Sequence, residues 1–282
     1  MSSSGEEGRP KPCVDARRVS DKVAIVTGAG SIVDEPGVGS AIAEVLAAGG
    51  ARVCVLDLDE GRAATTCAAI AAAGGEAFSL TADITCEEDC IAAVRETVSR
   101  YGRLDILVNN VGVAGRTALA DVTPERWQQI LSINAMGAML MSKHSVPKMA
   151  ANGGGAIVNI SSIAGLRAHG DLTYAASKAA LAALGNNIAV SHGRDGIRVN
   201  AIAPGYLRTP MAIRRNAGAR PVRRDVAPLG IEGDAWDVAL AVLFLASDEA
   251  RFINCAMLPV DGGATAIGAI TAYALATEGR IG

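Results

Sequence analysis

Mostly apolar runs alternate along the chain with segments whose apolar residues recur at helical spacing. The runs are Lys22–Gly28, Ala51–Leu56, Ala77–Leu80, Leu104–Val108, Ala156–Ile160, Ile197–Ile202 and Met257–Val260. They are short and continuous rather than alternating, the pattern of strands buried on both faces. Between them, Ser40–Ala48, Gly61–Ala73, Glu87–Tyr101, Pro124–Met149, Tyr174–Val190 and Ala235–Ser247 read as helices. Glu87–Tyr101 carries its apolar stripe at Ile91, Val94 and Val98, and Thr123-Pro124 is a helix-start pair. Such alternation predicts an α/β fold, a doubly wound, Rossmann-like parallel sheet with helices on both faces, built by right-handed crossovers. Neither a composition break nor an internal repeat divides it. A single domain is expected over 20–266, with a flexible tail at 1–19 and a C-terminal tail at 267–282.

Composition adjusts this picture in three ways. Half of the 282 residues are hydrophobic and a fifth are charged, with mean hydropathy +0.29, which excludes a disordered chain. Aromatics make up 3%, so the core is built from small aliphatic residues. The charge, 26 Lys+Arg against 29 Asp+Glu, excludes a strongly basic nucleic-acid binder at the level of the whole chain. No membrane partner is expected either. The uncharged stretch Gly262–Thr277 is rich in Gly, Ala and Thr, whereas a span needs about 20 strongly apolar residues; it reads as a packed or oligomer-buried segment. The N-terminus lacks the apolar run of a signal peptide. Cysteines 13, 54, 67, 86, 90 and 255 form no CxxC, and the histidines are not at ligand spacing from them. The expectation is reduced thiols in a cytoplasmic protein and no metal site.

In such sheets, ligands bind beyond the carboxyl ends of the strands. The first strand ends in Thr27-Gly28-Ala29-Gly30-Ser31, and Gly37-Val38-Gly39 opens the first helix. Glycines there let the backbone approach a pyrophosphate, which the helix N-terminus then receives. The second strand ends at Asp57, an acid suited to ribose hydroxyls and repulsive to a 2′-phosphate. No Lys or Arg lies between Lys22 and Arg52, and the loop carries Asp34 and Glu35. These features point to NAD over NADP.

Tyr174 and Lys178 are four apart on one helical face. They could be only a surface pair. In a site, the ammonium favours the phenolate and brings tyrosine within reach of acid–base work. Ser161 and Ser162 end the fifth strand, on the sheet edge where the glycine turn also lies, and either hydroxyl could hold a substrate oxygen.

Over Ser20 to Ala266 the chain resembles the short-chain dehydrogenase/reductase family, through an ordered set of motifs. These are the glycine turn, Asp57, Ala82-Asp83-Ile84, Asn109-Asn110-Val111-Gly112, Asn134, Asn159-Ile160-Ser161-Ser162, Tyr174-Ala-Ala-Ser-Lys178, Arg198-Val199-Asn200-Ala201, Pro204-Gly205 and Asp261-Gly262-Gly263. The resemblance implies a hydride-transferring oxidoreductase acting on a secondary alcohol or ketone without a metal. It makes Tyr174 the acid–base and gives Lys178 the nicotinamide ribose. Ser162 is the catalytic serine, with Ser161 as fallback, and Asn134 holds a relay water. Gly28, Ser31, Gly37, Val38, Gly39, Asp57, Leu58, Asp83, Ile84, Asn110, Val111, Gly112, Pro204, Gly205, Leu207 and Thr209 are the implied cofactor contacts. The family commonly forms tetramers through the long helices and the last strand, so a homotetramer is expected.

The chain departs from the family pattern where Ile32–Pro36 interrupts the glycine turn. It also departs in Val111, in Asn254-Cys255, and in a Ser162–Tyr174 spacing one residue short that reshapes the wall around His169. After Pro204-Gly205, a lid is expected at 206–230. Its arginines 208, 214, 215, 220, 223 and 224 form a mobile basic loop or subunit contact, or grip an anionic substrate. Two other functions fit the same fold: a non-catalytic NAD(H)-binding regulator and an NADP-dependent ketoreductase.

Overall fold

The computed structural model describes residues 11–15, 17–32, 36–115, 118–168, 170–209 and 224–278. Seven strands form one parallel sheet: β1 (Val23–Thr27), β2 (Arg52–Asp57), β3 (Glu76–Thr81), β4 (Ile106–Asn109), β5 (Gly155–Ile160), β6 (Ile197–Pro204) and β9 (Met257–Val260). Two short strands, β7 (Leu207–Arg208) and β8 (Gly233–Asp234), pair apart from it. The order β3-β2-β1-β4-β5-β6-β9 reverses beside β1. The chain winds outward from β1 on one side, then returns to build the other. This leaves a crevice past the carboxyl ends of β1 and β4.

The inner strands β1, β2, β4, β5 and β6 are mostly apolar because both of their faces are covered, whereas the edge strands β3 and β9 are only partly buried. On β1, Ala24 and Val26 join α1 (Val38–Ala48) and α7 (Ala235–Ala246) in one core, through Ile42, Leu46, Val242 and Leu243. Val23 and Ile25 face the other way, into a second core with α3 (Glu87–Tyr101) and α5 (Gly137–Ala151), through Val94, Met141 and Met149. Asp59 caps α2 (Glu60–Ala72) by accepting from Arg62 N, and Asp234 with Asp237 forms a capping box on α7.

The single helix expected over Pro124–Met149 is continuous but not uniform. α4 (Pro124–Leu131) passes through a π turn at Ser132–Met136 before α5. At the N-terminus, the described residues from 11 onward lie on the body instead of forming a loose tail. Val19 is buried, and the ion pairs Lys11–Glu44 and Arg18–Glu249 close at 2.8 and 2.7 Å. The C-terminal segment contains a helix, α8 (Ala269–Glu278), none of whose residues is buried within the chain. No described helix is long and apolar enough to cross a membrane, and all six cysteines are free.

Candidate active site

Beyond β1 the chain turns through Gly28 into α1. Gly39 packs so tightly that a Cβ there would collide with the Gly28 carbonyl and stand 2.5 Å from Asn110 Nδ2. Asn110 locks the turn, its amide donating to the Thr27 and Gly28 carbonyls at 3.0 and 2.9 Å while its N–H reaches Thr27 Oγ1 at 3.0 Å. No side chain caps the start of α1, so its N-terminal amides face the cleft beside Gly37 and Val38, as an anion site requires.

This cleft, about 540 Å³, runs from Gly28, Gly37, Val38 and Gly39 past Asp57 and Leu58 to Asn110, Val111 and Gly112. It continues to Ser161, Ser162, Tyr174 and Lys178, and ends at Pro204, Gly205, Leu207 and Thr209. A second chamber of about 390 Å³ shares Gly28, Asp57, Leu58 and Val111 with it and adds Asp83 and Ile84. Asp57 accepts from Gly30 N at 2.8 Å and Asp59 N at 3.1 Å. Asp83 accepts from Thr85 N and Oγ1 at 2.8 and 2.7 Å. Ser31 does not line the cleft; its N–H donates to the Arg62 carbonyl at 3.1 Å.

Sequence reasoning missed Arg62. It stands in the first turn of α2 yet lines the cleft beside Asp57, because the parallel pairing of β1 with β2 brings the start of α2 next to Gly30. Its Nε lies 3.3 Å from Asp59 Oδ2. Gly30 of the glycine turn also lines the cleft, and the other lining residues not anticipated are Ile32, Val113 and Ile160.

At the far end, α6 (Leu172–His192) carries Tyr174 and Lys178. Asp171 fixes the start of this helix. One oxygen accepts from Tyr174 N at 3.2 Å and the other from Gly115 N at 3.1 Å, tying the tyrosine's helix to the loop after β4. Lys178 is 2% exposed, its Nζ donates to the Ile160 carbonyl at 2.8 Å, and it sits 5.7 Å from the Tyr174 ring centre. Burial pulls its pKa down to about 8. A Cβ on Gly112 would stand 2.7 Å from that Nζ, so only glycine leaves the ammonium its place.

The two serines differ. Ser161 is buried and its hydroxyl donates to the Lys178 carbonyl at 2.7 Å. Among the described residues the Ser162 hydroxyl only accepts, from Ala164 N at 3.1 Å, which leaves its proton to give. Asn134 lies in the π turn, a geometry that recurs at functional sites. Its side chain is engaged by Val113 N, the Val113 carbonyl and Ser177 Oγ, each at 2.8 Å.

Of the lid arginines, Arg208 lies in β7 and Arg224 pairs with Asp225 at 2.6 Å. Arginines 214, 215, 220 and 223, His169, and Asp34 and Glu35 of the inserted loop lie outside the described residues.

The family model described as Enoyl-(Acyl carrier protein) reductase matches residues 28–265. The chain belongs to the short-chain dehydrogenase/reductase family. Among short-chain dehydrogenases it is similar to the cis-4-hydroxycyclohexanecarboxylate dehydrogenase of Sinomonas cyclohexanicum, 39% identical over 250 residues, 88% of this chain and 98% of the relative. It is also similar to the 2,5-dichloro-2,5-cyclohexadiene-1,4-diol dehydrogenase of Sphingobium indicum, 39% identical over 258 residues, 88% of this chain and 99% of the relative. A crystal structure assigned to the short-chain dehydrogenase/reductases, from Burkholderia xenovorans, superposes with a TM-score of 0.85 at 40% identity, covering 89% of this chain and 99% of that one. Short-chain dehydrogenases are oxidoreductases that use a nicotinamide cofactor. The two joined chambers, the glycine cradle and the uncapped start of α1 suit such a dinucleotide.

Proposed function

We propose that this short-chain dehydrogenase transfers a hydride between NAD and a secondary alcohol or ketone carried on a six-membered ring. The observation that carries this is the convergence of Ser162, Tyr174 and Lys178 on the same cleft as the glycine turn. Bound NAD(H) supplies the hydride acceptor or donor. Tyr174 takes the hydroxyl proton in oxidation and returns it in reduction. The Lys178 ammonium holds the nicotinamide ribose and stabilises the phenolate, while Ser162 donates to the substrate oxygen. Both amide hydrogens of Asn134 are engaged and its Oδ1 keeps one lone pair, so a relay water there would donate to it. Ring substrates are suggested by the cyclohexane and cyclohexadiene compounds in the names of the two relatives.

Among the described residues at the adenosine end, Asp57 and Asp59 stand against one cation, Arg62, which favours a ribose hydroxyl over a 2′-phosphate. Wild-type protein oxidising cyclohexanol should show kcat/KM at least about tenfold higher with NAD than with NADP, followed by absorbance of the reduced cofactor, and Asp57→Ser should narrow that gap. Equal use of NADP would overturn the cofactor assignment. NADH binding without turnover of any ring alcohol or ketone would instead favour a non-catalytic regulator.

Reduced cysteines, two of them exposed, suit the cytoplasm. The homotetramer buries a face that a single chain leaves open: β9 is an edge strand, and Phe252, Ile270 and Tyr273 near it in the chain are 96%, 88% and 71% exposed. Light scattering should return four times the chain mass of 28.6 kDa; a single-chain mass would refute the assembly.

A further inference from the structure

A third chamber, about 420 Å³, is lined by residues that flank in sequence those at the Tyr174 end of the cleft. Ser162 lines the cleft and Ile163 lines this chamber; Gly205 and Leu207 line the cleft and Tyr206 between them lines this chamber. Its wall therefore lies one residue from Ser162 at the end of β5 and between Gly205 and Leu207 after β6. Most of its wall is small and apolar, contributed by residues such as Ala168, Ala264 and Ala272. The hydroxyl of Thr265 is directed elsewhere, donating to Asp261 Oδ2 at 2.6 Å, and that carboxylate also accepts from Gly263 N and Thr265 N.

Among the described lining residues, one is charged: Arg167. The 3₁₀ turn at Ile163–Gly165 carries the chain from Ser162 to this arginine. Its Nη1 donates to the Ile267 carbonyl at 3.0 Å, which holds the guanidinium against the segment leading into α8. That bond uses one of five N–H donors. No other hydrogen bond and no ion pair to Arg167 occurs among the described residues. An anchored guanidinium with an unused fork, beside an apolar chamber, matches a planar carboxylate on an apolar body.

We propose that Arg167 binds a carboxylate of the substrate, so that the preferred substrate is a hydroxy acid or oxo acid whose ring fills the third chamber between that carboxylate and the oxygen at Ser162. This rests on the reading of Ser162 and Tyr174 as the hydride-transfer site. The sequence had directed attention to the lid arginines; Arg167 precedes the lid and reaches the site through the turn after β5.

Two measurements on the full chain test it. The first is the ratio of kcat/KM for 4-hydroxycyclohexanecarboxylate to that for 4-methylcyclohexanol, in wild type, Arg167→Met and Arg167→Lys. The second is calorimetric binding of cyclohexanecarboxylate, which has no hydroxyl to oxidise, to the protein with NADH. The wild type should favour the acid at least tenfold. Arg167→Met should lower that ratio at least tenfold and abolish calorimetric binding, and Arg167→Lys should restore part of both. A ratio unchanged by Arg167→Met, with both substrates losing equally, would reduce Arg167 to a strut for Ile267 and overturn the proposal. So would binding of cyclohexanecarboxylate that does not depend on Arg167. If neither substrate is oxidised while cyclohexanecarboxylate still binds through Arg167, the hydride-transfer reading fails and the carboxylate site stands.

Discussion

Replacing Tyr174 with phenylalanine should lower kcat/KM about a thousandfold while leaving NADH binding within about threefold of wild type. The substitution removes one oxygen and keeps the ring, so α6, its Asp171 cap and the Lys178 contact to Ile160 stay in place. Only the group that exchanges the substrate proton is lost. A thousandfold loss corresponds to about 4 kcal/mol of transition-state stabilisation. Steady-state kinetics with a ring alcohol measures the fall, and NADH fluorescence titration measures binding. A loss smaller than tenfold would move the proton transfer to Ser162 or Lys178 and sink the assignment.

What the sequence made legible follows from how each feature is encoded. The five inner strands of the main sheet were readable because burial on both faces writes a mostly apolar run, and the edge strands β3 and β9, which are less buried, were readable from short apolar segments. β7 and β8 were not, since two residues carry no periodicity. The π turn was invisible because one extra residue in a turn leaves the helical pattern from Pro124 onward nearly unchanged, and its signal is a hydrogen-bond shift, not a composition. Helix α8 is Ala- and Thr-rich without an apolar stripe, so nothing separated it from a tail. The start of α6 was in fact encoded: Asp171 is a strong N-cap residue three before Tyr174, a signal passed over in favour of the tyrosine itself.

The site residues divide in the same way. Those in motifs at strand ends could be placed in order along the sheet edge from sequence alone. Arg62 and Arg167 could not, because each belongs to a segment following a strand and reaches the site only through strand pairing and a tight turn. Both are arginines whose neighbours in sequence, Asp59 for one and Ala168 for the other, suggest only a surface position.

Lys178 sets up the second large effect, in which function and stability pull apart. Burial lowers its pKa from 10.5 to about 8, so the folded chain holds that proton less tightly than the unfolded chain. The displacement is equivalent to about 3 kcal/mol against folding at neutral pH. Between about pH 8 and 10.5 the unfolded state still carries the proton and the folded state does not. Stability contributed by this site therefore rises with pH across that window, by about 1 kcal/mol per unit, and is at its worst below pH 8. Lys178→Met should remove this pH-dependent difference, at the loss of the hydrogen bond to the Ile160 carbonyl. Urea denaturation of the cofactor-free proteins at pH 7, 8, 9 and 10 should show wild type gaining on the variant at each step above 8. The same variant should lose kcat/KM by at least a hundredfold and bind NADH more weakly, because in the proposed mechanism the ammonium beside Gly112 holds the ribose and the phenolate. A stability difference flat from pH 7 to 10 would mean that the lysine titrates as if exposed. Turnover retained within tenfold would mean that the fold tolerates a buried ammonium for a reason other than catalysis.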